Sequence, residues 1–190
     1  MNRCAAPGCA APPHAGAFCE LHAKAPAGQR GGWLSAAKRK PYDANAIAPR
    51  LWVGSKPPFD LDLPQVDLLV LCAAELQPEV LAFHGDVLRC PLPDSRLAIP
   101  QLAMAIMTSV SVAQAVASGQ RVLVTCAAGL NRSPLIAALV LGQLTTMSGP
   151  QIISHIRKHR GPKALSNPHF EAIIRGLVGE GRPRVRRAAP

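Results

Sequence analysis

The sequence predicts an α/β fold, a central mostly parallel sheet flanked by helices, with a small Cys3His zinc-binding segment ahead of it. Three observations lead there. From Ile47 onward, short apolar runs rich in valine and leucine alternate with longer stretches of helical spacing, the pattern of strands joined by crossover helices. Before them, three cysteines and a histidine stand at metal-ligand spacing in the first 25 residues. The chain has only 190 residues, room for one domain and an appendage, which excludes a large multidomain enzyme. Hydrophobic residues make up 48% of it and aromatic ones 4%, a globular composition whose core is built from Ala, Val, Leu and Ile.

In chain order, residues 1–25 come first. Cys4-x4-Cys9-x9-Cys19-x2-His22 is the ligand set of a four-coordinate structural zinc. Pro7-Gly8 turns the chain within the first pair, and the short step from Cys19 to His22 lets two ligands reach one ion, with His14 the weaker fourth ligand. Phe18 and Leu21 are the main bulky apolar residues, so metal binding has to supply the folding free energy. The phrases Cys4-x-x-Pro7-Gly8-Cys9 and Phe18-Cys19-x-x-His22 resemble the small zinc knuckles that precede the nuclease core in some phage HNH-type proteins. No nuclease core follows, so the resemblance implies a fold for the metal site and no nuclease activity. Residues 26–46, with their Gly, Ala and Pro and the run Lys38-Arg39-Lys40, form a basic linker, solvated first and a contact for nucleic acid second. Trp33 and Tyr42 are weak signals for base stacking.

The α/β body spans 47–178. Strands are expected over Leu51–Val53, Val66–Cys72, Val87–Cys90 and Arg121–Cys126, short and leucine-rich or β-branched. Helices are expected over Leu76–Phe83, Ile99–Ser118, Ser133–Thr146, Gly149–Arg160 and Asn167–Leu177, the second stopped by Gly119. Cys72 and Cys90 fall within strands and are small core residues, while His155 and His159 share an exposed helix face. In such folds ligands sit at the carboxyl ends of the strands.

One strand ends in Thr125-Cys126-Ala127-Ala128-Gly129-Leu130-Asn131-Arg132-Ser133-Pro134, followed by an apolar helical run. A cysteine six residues before an arginine, with a glycine between, makes a loop whose successive backbone N–H groups converge on one anion. The helix dipole adds to that field, and Pro134 suits the first turn. Phosphate fits this arrangement, held by the backbone of Ala127, Ala128, Gly129, Leu130 and Asn131 and by the planar fork of Arg132. The same field favours the thiolate of Cys126, and Ser133 can donate a hydrogen bond to the sulfur as it leaves.

Cys126-x-x-Gly129-x-x-Arg132-Ser133 resembles the signature of the cysteine-dependent protein-tyrosine phosphatase superfamily, and the shortness of the domain points to its dual-specificity branch. Arg50 to Ser55 looks like that branch's opening strand, Leu69 to Glu75 like its second, and Arg160-Gly161-Pro162 through Asn167-Pro168-x-Phe170 like its closing segment. The similarity implies hydrolysis of phosphotyrosine, and of phosphoserine or phosphothreonine, in phosphoprotein substrates through a cysteinyl-phosphate, with no metal in the chemistry and an aspartate as general acid and then base. The resemblance places that role on Asp94, which follows the Val87–Cys90 strand and precedes the cysteine by thirty-two residues, as the family's acid does. Asp86 is the alternative but precedes the strand.

Two features depart from the family pattern. Thr125 stands where the family usually has histidine, leaving thiolate stabilisation to the loop, the helix and any threonine hydrogen bond. Asn131 is shared with some dual-specificity members and with RNA 5′-triphosphatases of the superfamily, which keeps an RNA 5′-phosphate substrate open, as does a non-catalytic adaptor for phosphate or nucleic acid.

The net charge of +10 is unevenly spread. Residues 1–50 hold seven basic and two acidic residues, 51–156 five and seven, and 157–190 nine and two. Polyanion contacts are therefore expected at the flanks, including the basic tail 179–190 with Arg182, Arg184, Arg186 and Arg187. Between Arg96 and Ile156 only Arg121 and Arg132 are charged, but polar residues such as Gln114 and Gln143 interrupt the two long uncharged stretches, so no membrane partner is expected. No apolar signal segment follows Met1, and the expectation is a cytoplasmic protein with reduced thiols.

Overall fold

The structure, a computed structural model, describes residues 42–56, 66–78, 83 and 85–178. The cysteine-rich segment with Cys4, Cys9, Cys19 and His22, the linker up to residue 41 and the tail 179–190 lie outside the described residues. Five strands form one sheet: β1 (Ala44–Ala48), β2 (Leu51–Gly54), β3 (Leu68–Ala73), β4 (Asp86–Leu92) and β5 (Val122–Thr125), in the order β1-β2-β5-β3-β4. β2, β5, β3 and β4 run parallel, and β1 closes one edge antiparallel to β2. Four helices follow: α1 (Ile99–Ala117), α2 (Arg132–Leu144), α3 (Gly149–Arg160) and α4 (Pro168–Val178).

Burial explains the strand sequences. All six residues of β3 and all four of β5 are buried, which their aliphatic text requires of central parallel strands. Because side chains alternate across a sheet, Leu68, Val70, Cys72, Val122 and Val124 enter the large core shared with the four helices. Leu69, Leu71 and Leu123 form a smaller cluster with Trp52, Val66 and Phe83. Cys72 and Cys90 are core residues, and burial pushes both thiols up. α1 and α3 start alike, with a glutamine reaching back to the preceding backbone: Ala98 N–H donates to Gln101 Oε1 and Ser148 N–H to Gln151 Oε1, each at 2.8 Å. α1 is long and apolar enough to cross a membrane by length and composition; in the fold its Ala105, Thr108, Ser109, Val112 and Ala113 are buried, and it packs on α2 and β4.

Three local expectations change. β1, rich in alanine and asparagine, carries no strand signal in the sequence; pairing with β2 creates it, and His155 Nε2, 2.7 Å from the Ile47 carbonyl oxygen, ties it to α3. His155 is thus half-buried rather than on an exposed face. Leu76, Gln77 and Pro78 are not helical; Gln77 Nε2 instead donates to the Leu71 and Ala73 carbonyls at 3.1 and 2.8 Å, and residues 79–82 lie outside the described residues.

At the opposite end of the sheet, Asp67 receives the backbone N–H, Nε and Nη2 of Arg121 at 2.8, 2.9 and 2.7 Å, which aligns the starts of β3 and β5. These bonds hold its carboxyl at about 2, below the ordinary value of 3.8. A depressed carboxylate adds stability that is present above the unfolded-state value and lost as pH falls towards the folded one. The melting temperature of Asp67→Asn should therefore lie below that of the native chain at neutral pH and converge on it between about pH 4 and pH 2, as thermal melts across that range would read.

Candidate active site

Parallel strands place their carboxyl ends together, and here the register pairs Gly54 and Leu71 with Thr125, and Ala73 with Leu92. The residues that follow each strand, Ser55, Glu75, Asp94 and Cys126, therefore emerge at one edge of the sheet. Cys126 is buried, its N–H donating to the Gly54 carbonyl at 3.3 Å. Ser133 Oγ lies 3.2 Å from Cys126 Sγ and 3.4 Å from the Gly54 carbonyl oxygen.

Between Cys126 and α2, four successive carbonyls are held from outside. Lys56 N–H donates to Ala127 O at 3.2 Å, Arg160 Nη2 to Ala128 O at 3.1 Å, Arg160 Nε to Gly129 O at 2.9 Å and Leu165 N–H to Leu130 O at 2.7 Å. In a planar trans peptide the carbonyl and the next N–H point in opposite directions. Turning these carbonyls outward turns the N–H groups of Ala128, Gly129, Leu130 and Asn131 inward, the arrangement that collects an anion. Gly129 has φ +69, and a Cβ there would lie 2.7 Å from the Gly54 carbonyl carbon, so the loop closes only with glycine.

Arg160 is the strut. Its side chain is 5% exposed, and Asp43 takes both of its terminal nitrogens at 2.5 and 2.7 Å while Asn45 Oδ1 accepts at 2.7 Å. That pairing holds the Asp43 carboxyl below its usual range. Tyr42, whose hydroxyl donates to the Ser55 carbonyl, stands beside it, and burial followed by the Asp43 charge pushes the phenol up.

Arg132 opens α2 with its side chain buried. Nη1 and Nη2 meet Glu75 at 2.5 and 2.7 Å, and Nη1 also donates to Leu92 O at 3.2 Å. The guanidinium, in turn, lowers the Glu75 carboxyl. Nε is buried with no protein acceptor among the described residues, 3.9 Å from Asp94 Oδ2. A buried donor left unpaired costs on the order of 1–3 kcal/mol, which an anion in the loop would remove. Asp94 sits on the exposed turn after β4, with one carboxylate oxygen 3.3 Å from Asn131 Nδ2 and the other 3.3 Å from Asn167 Nδ2.

The structure thus brings together Cys126, the backbone of residues 127–131, Arg132, Ser133 and Asp94, and no group of three or more potential metal ligands occurs among the described residues. Thr125 is a correction: its hydroxyl donates to the Val70 carbonyl at 3.0 Å, which commits it to the neighbouring strand and leaves none for the sulfur. The side chain of Asn131 is likewise spent internally. Sequence reasoning set Glu75, Arg160 and Asn167 in family-like segments but gave them no role in the site, their partners lying 57, 31 and 73 residues away. The one local hint was an acidic residue just past the end of a buried strand.

No family model and no curated protein matches the chain. Solved structures do. Human DUSP28, a dual-specificity phosphatase, matches with a TM-score of 0.62 at 24% identity, over 72% of this chain and 93% of its own. Tk-PTP in its active form matches with 0.60 at 20%, over 72% and 96%. The human tyrosine phosphatase-like serine/threonine/tyrosine-interacting protein matches with 0.57 at 18%, over 72% and 95%. The chain shares with these structures a protein-tyrosine-phosphatase-like fold, a central sheet flanked by helices.

Proposed function

We propose that the chain is a cysteine-dependent protein phosphatase hydrolysing phosphotyrosine, and phosphoserine or phosphothreonine, in phosphoprotein substrates. The observation that carries this reading is the unpartnered Arg132 Nε, 3.9 Å from Asp94 Oδ2, at the end of a loop that begins at Cys126 and whose carbonyls at 127–130 are all held from outside. Cys126 Sγ attacks phosphorus and the bond to the leaving oxygen breaks, the oxygen taking its proton from Asp94. The inward N–H groups and Arg132 stabilise the charge on the three equatorial oxygens. Water then attacks the cysteinyl-phosphate and gives a proton to Asp94. The S–P bond breaks towards Cys126, where the Ser133 hydroxyl, 3.2 Å from the sulfur, supports the departing thiolate, and inorganic phosphate is released.

The competing readings are an RNA 5′-phosphatase and a non-catalytic adaptor. Asn131, the residue that motivates the first, is occupied by Asp94 and the 166–167 backbone and side chain, which leaves the basic flanks as its support. The presence of both an acid, Asp94, 3.9 Å from Arg132 Nε, and a nucleophile, Cys126, against Ser133 Oγ, argues against the second. Phosphate release by the purified chain from phosphopeptides, compared with 5′-triphosphorylated RNA, decides: preference for RNA replaces the protein reading, and binding without release from either supports the adaptor. Cys4, Cys9, Cys19 and His22 remain proposed ligands of a structural zinc, motivated by their spacing. Metal analysis is expected to find about one zinc per chain, lost in Cys4→Ser/Cys9→Ser; none in protein prepared without chelators refutes the site.

A further inference from the structure

We propose that Asn131 and Asn167 form an amide clamp that aims the carboxyl of Asp94, and that Asn167 is therefore a positioning residue for proton transfer to the leaving group. The inference rests on the phosphatase reading of the site. Asn131 Oδ1 accepts from Asn167 N–H at 3.1 Å and from Ser166 Oγ at 3.2 Å. A backbone N–H can only donate, so these contacts fix which end of the amide is oxygen and turn Nδ2 towards Asp94 Oδ2, 3.3 Å away. Asn167 is oriented in the same way: its Oδ1 accepts from His169 N–H at 3.0 Å, capping the first turn of α4, and its Nδ2 faces Asp94 Oδ1 at 3.3 Å. Each carboxylate oxygen thus receives one amide proton, and the two donors together define the plane of the carboxyl group.

The donors are themselves mounted rigidly. The Asn167 carbonyl accepts from the N–H groups of Phe170 and Glu171 at 3.1 Å each, Phe170 is fully buried, and Leu165 N–H is bonded to the loop at Leu130 O. Asp94, by contrast, stands on an exposed turn with its side chain 39% accessible. Both amide contacts, at 3.3 Å, are slightly longer than the usual N–H···O range, so they steer the carboxyl weakly and at little cost when it turns to hand over its proton and return.

Serine at position 167 retains an oxygen for the helix cap and is too short to reach Asp94. The test compares kcat/KM of the native chain, Asn167→Ser, Asp94→Asn and the double variant on a series of aryl phosphates from 2,4-dinitrophenyl to phenyl phosphate. Asn167→Ser is expected to lose about tenfold on phenyl phosphate, part of the 10²–10⁴ that a general acid supplies, and under twofold on the dinitrophenyl ester, whose leaving group needs no proton. In the double variant it should add nothing to the loss caused by Asp94→Asn. Asn167→Asp, which keeps the cap and sets a carboxylate against Asp94, should lose more than Asn167→Ser on phenyl phosphate. An equal loss across the series, no loss, or an additive loss in the double variant overturns the clamp while leaving the phosphatase reading in place. Absence of turnover by the native chain, judged against Cys126→Ser, overturns both.

Discussion

Cys126→Ser is expected to reduce hydrolysis of an aryl phosphate by at least about a thousandfold while the melting temperature stays within a few degrees of native. The rate loss follows from the nucleophile: a serine oxygen is less polarisable than sulfur and a poorer leaving group from phosphorus. The fold should survive because Cys126 hangs in its place by main-chain bonds, its N–H on Gly54, and because the smaller oxygen still has Ser133 as neighbour. The loop that would hold phosphate is backbone and Arg132, so the variant should still bind inorganic phosphate, as titration calorimetry would detect. Turnover within tenfold of native would exclude a cysteinyl-phosphate. Loss of phosphate binding together with turnover would mean that the substitution had collapsed the loop, and the rate would then say nothing about the nucleophile.

Arg132→Lys is expected to lower kcat/KM by about 10² to 10³, the loss seen when one well-placed donor to a developing oxyanion is removed. The variant isolates geometry from charge. Arginine spreads its donors: Nη1 and Nη2 are fixed by Glu75 and Leu92 O, which leaves Nε for the ligand. A lysine has one nitrogen, which can answer Glu75 or the phosphate and not both in the same geometry. Arg132→Ala should do worse, since it leaves Glu75 and Asp94 beside a site built for an anion with no cation between them. Steady-state kinetics of the two variants side by side checks the order; a lysine variant as active as native would show that the fork has no part in the reaction.

The anion loop was the most legible part of the chain because its information is contiguous: strand, cysteine, glycine, arginine and helix occupy about a dozen consecutive residues. Asp94 was legible one step further off, from its place after a strand. The supports were not, because they are made between distant positions. Nothing in the local text of Glu75 announces Arg132, and Arg160 looks like part of a basic surface run until α3 is laid against β1. Part of the basic charge counted at the carboxy-terminal flank is also paired within the fold. Residues 157–190 hold nine basic residues, yet Arg157 is bonded to Glu171, Ala164 O and Leu165 O, Arg160 to Asp43, and Arg175 to Glu171. Arg157 and Arg160 thus brace the fold, while the Arg175–Glu171 pair is an exposed contact one helical turn apart. β1 was missed for a related reason: an edge strand of alanine and asparagine has no periodicity of its own and takes its conformation from β2.

The outward carbonyls of residues 127–130 are anchored by a backbone N–H of Lys56, a side chain of α3 and a backbone N–H of Leu165. In the proposed phosphatase, phosphate recognition would thereby be written in the main chain, while the side chains of Ala127 and Ala128 are exposed and would carry none of it. Those two positions form a vacant margin around a fixed centre, where larger or charged residues could retune which substrates are admitted without disturbing the reaction itself.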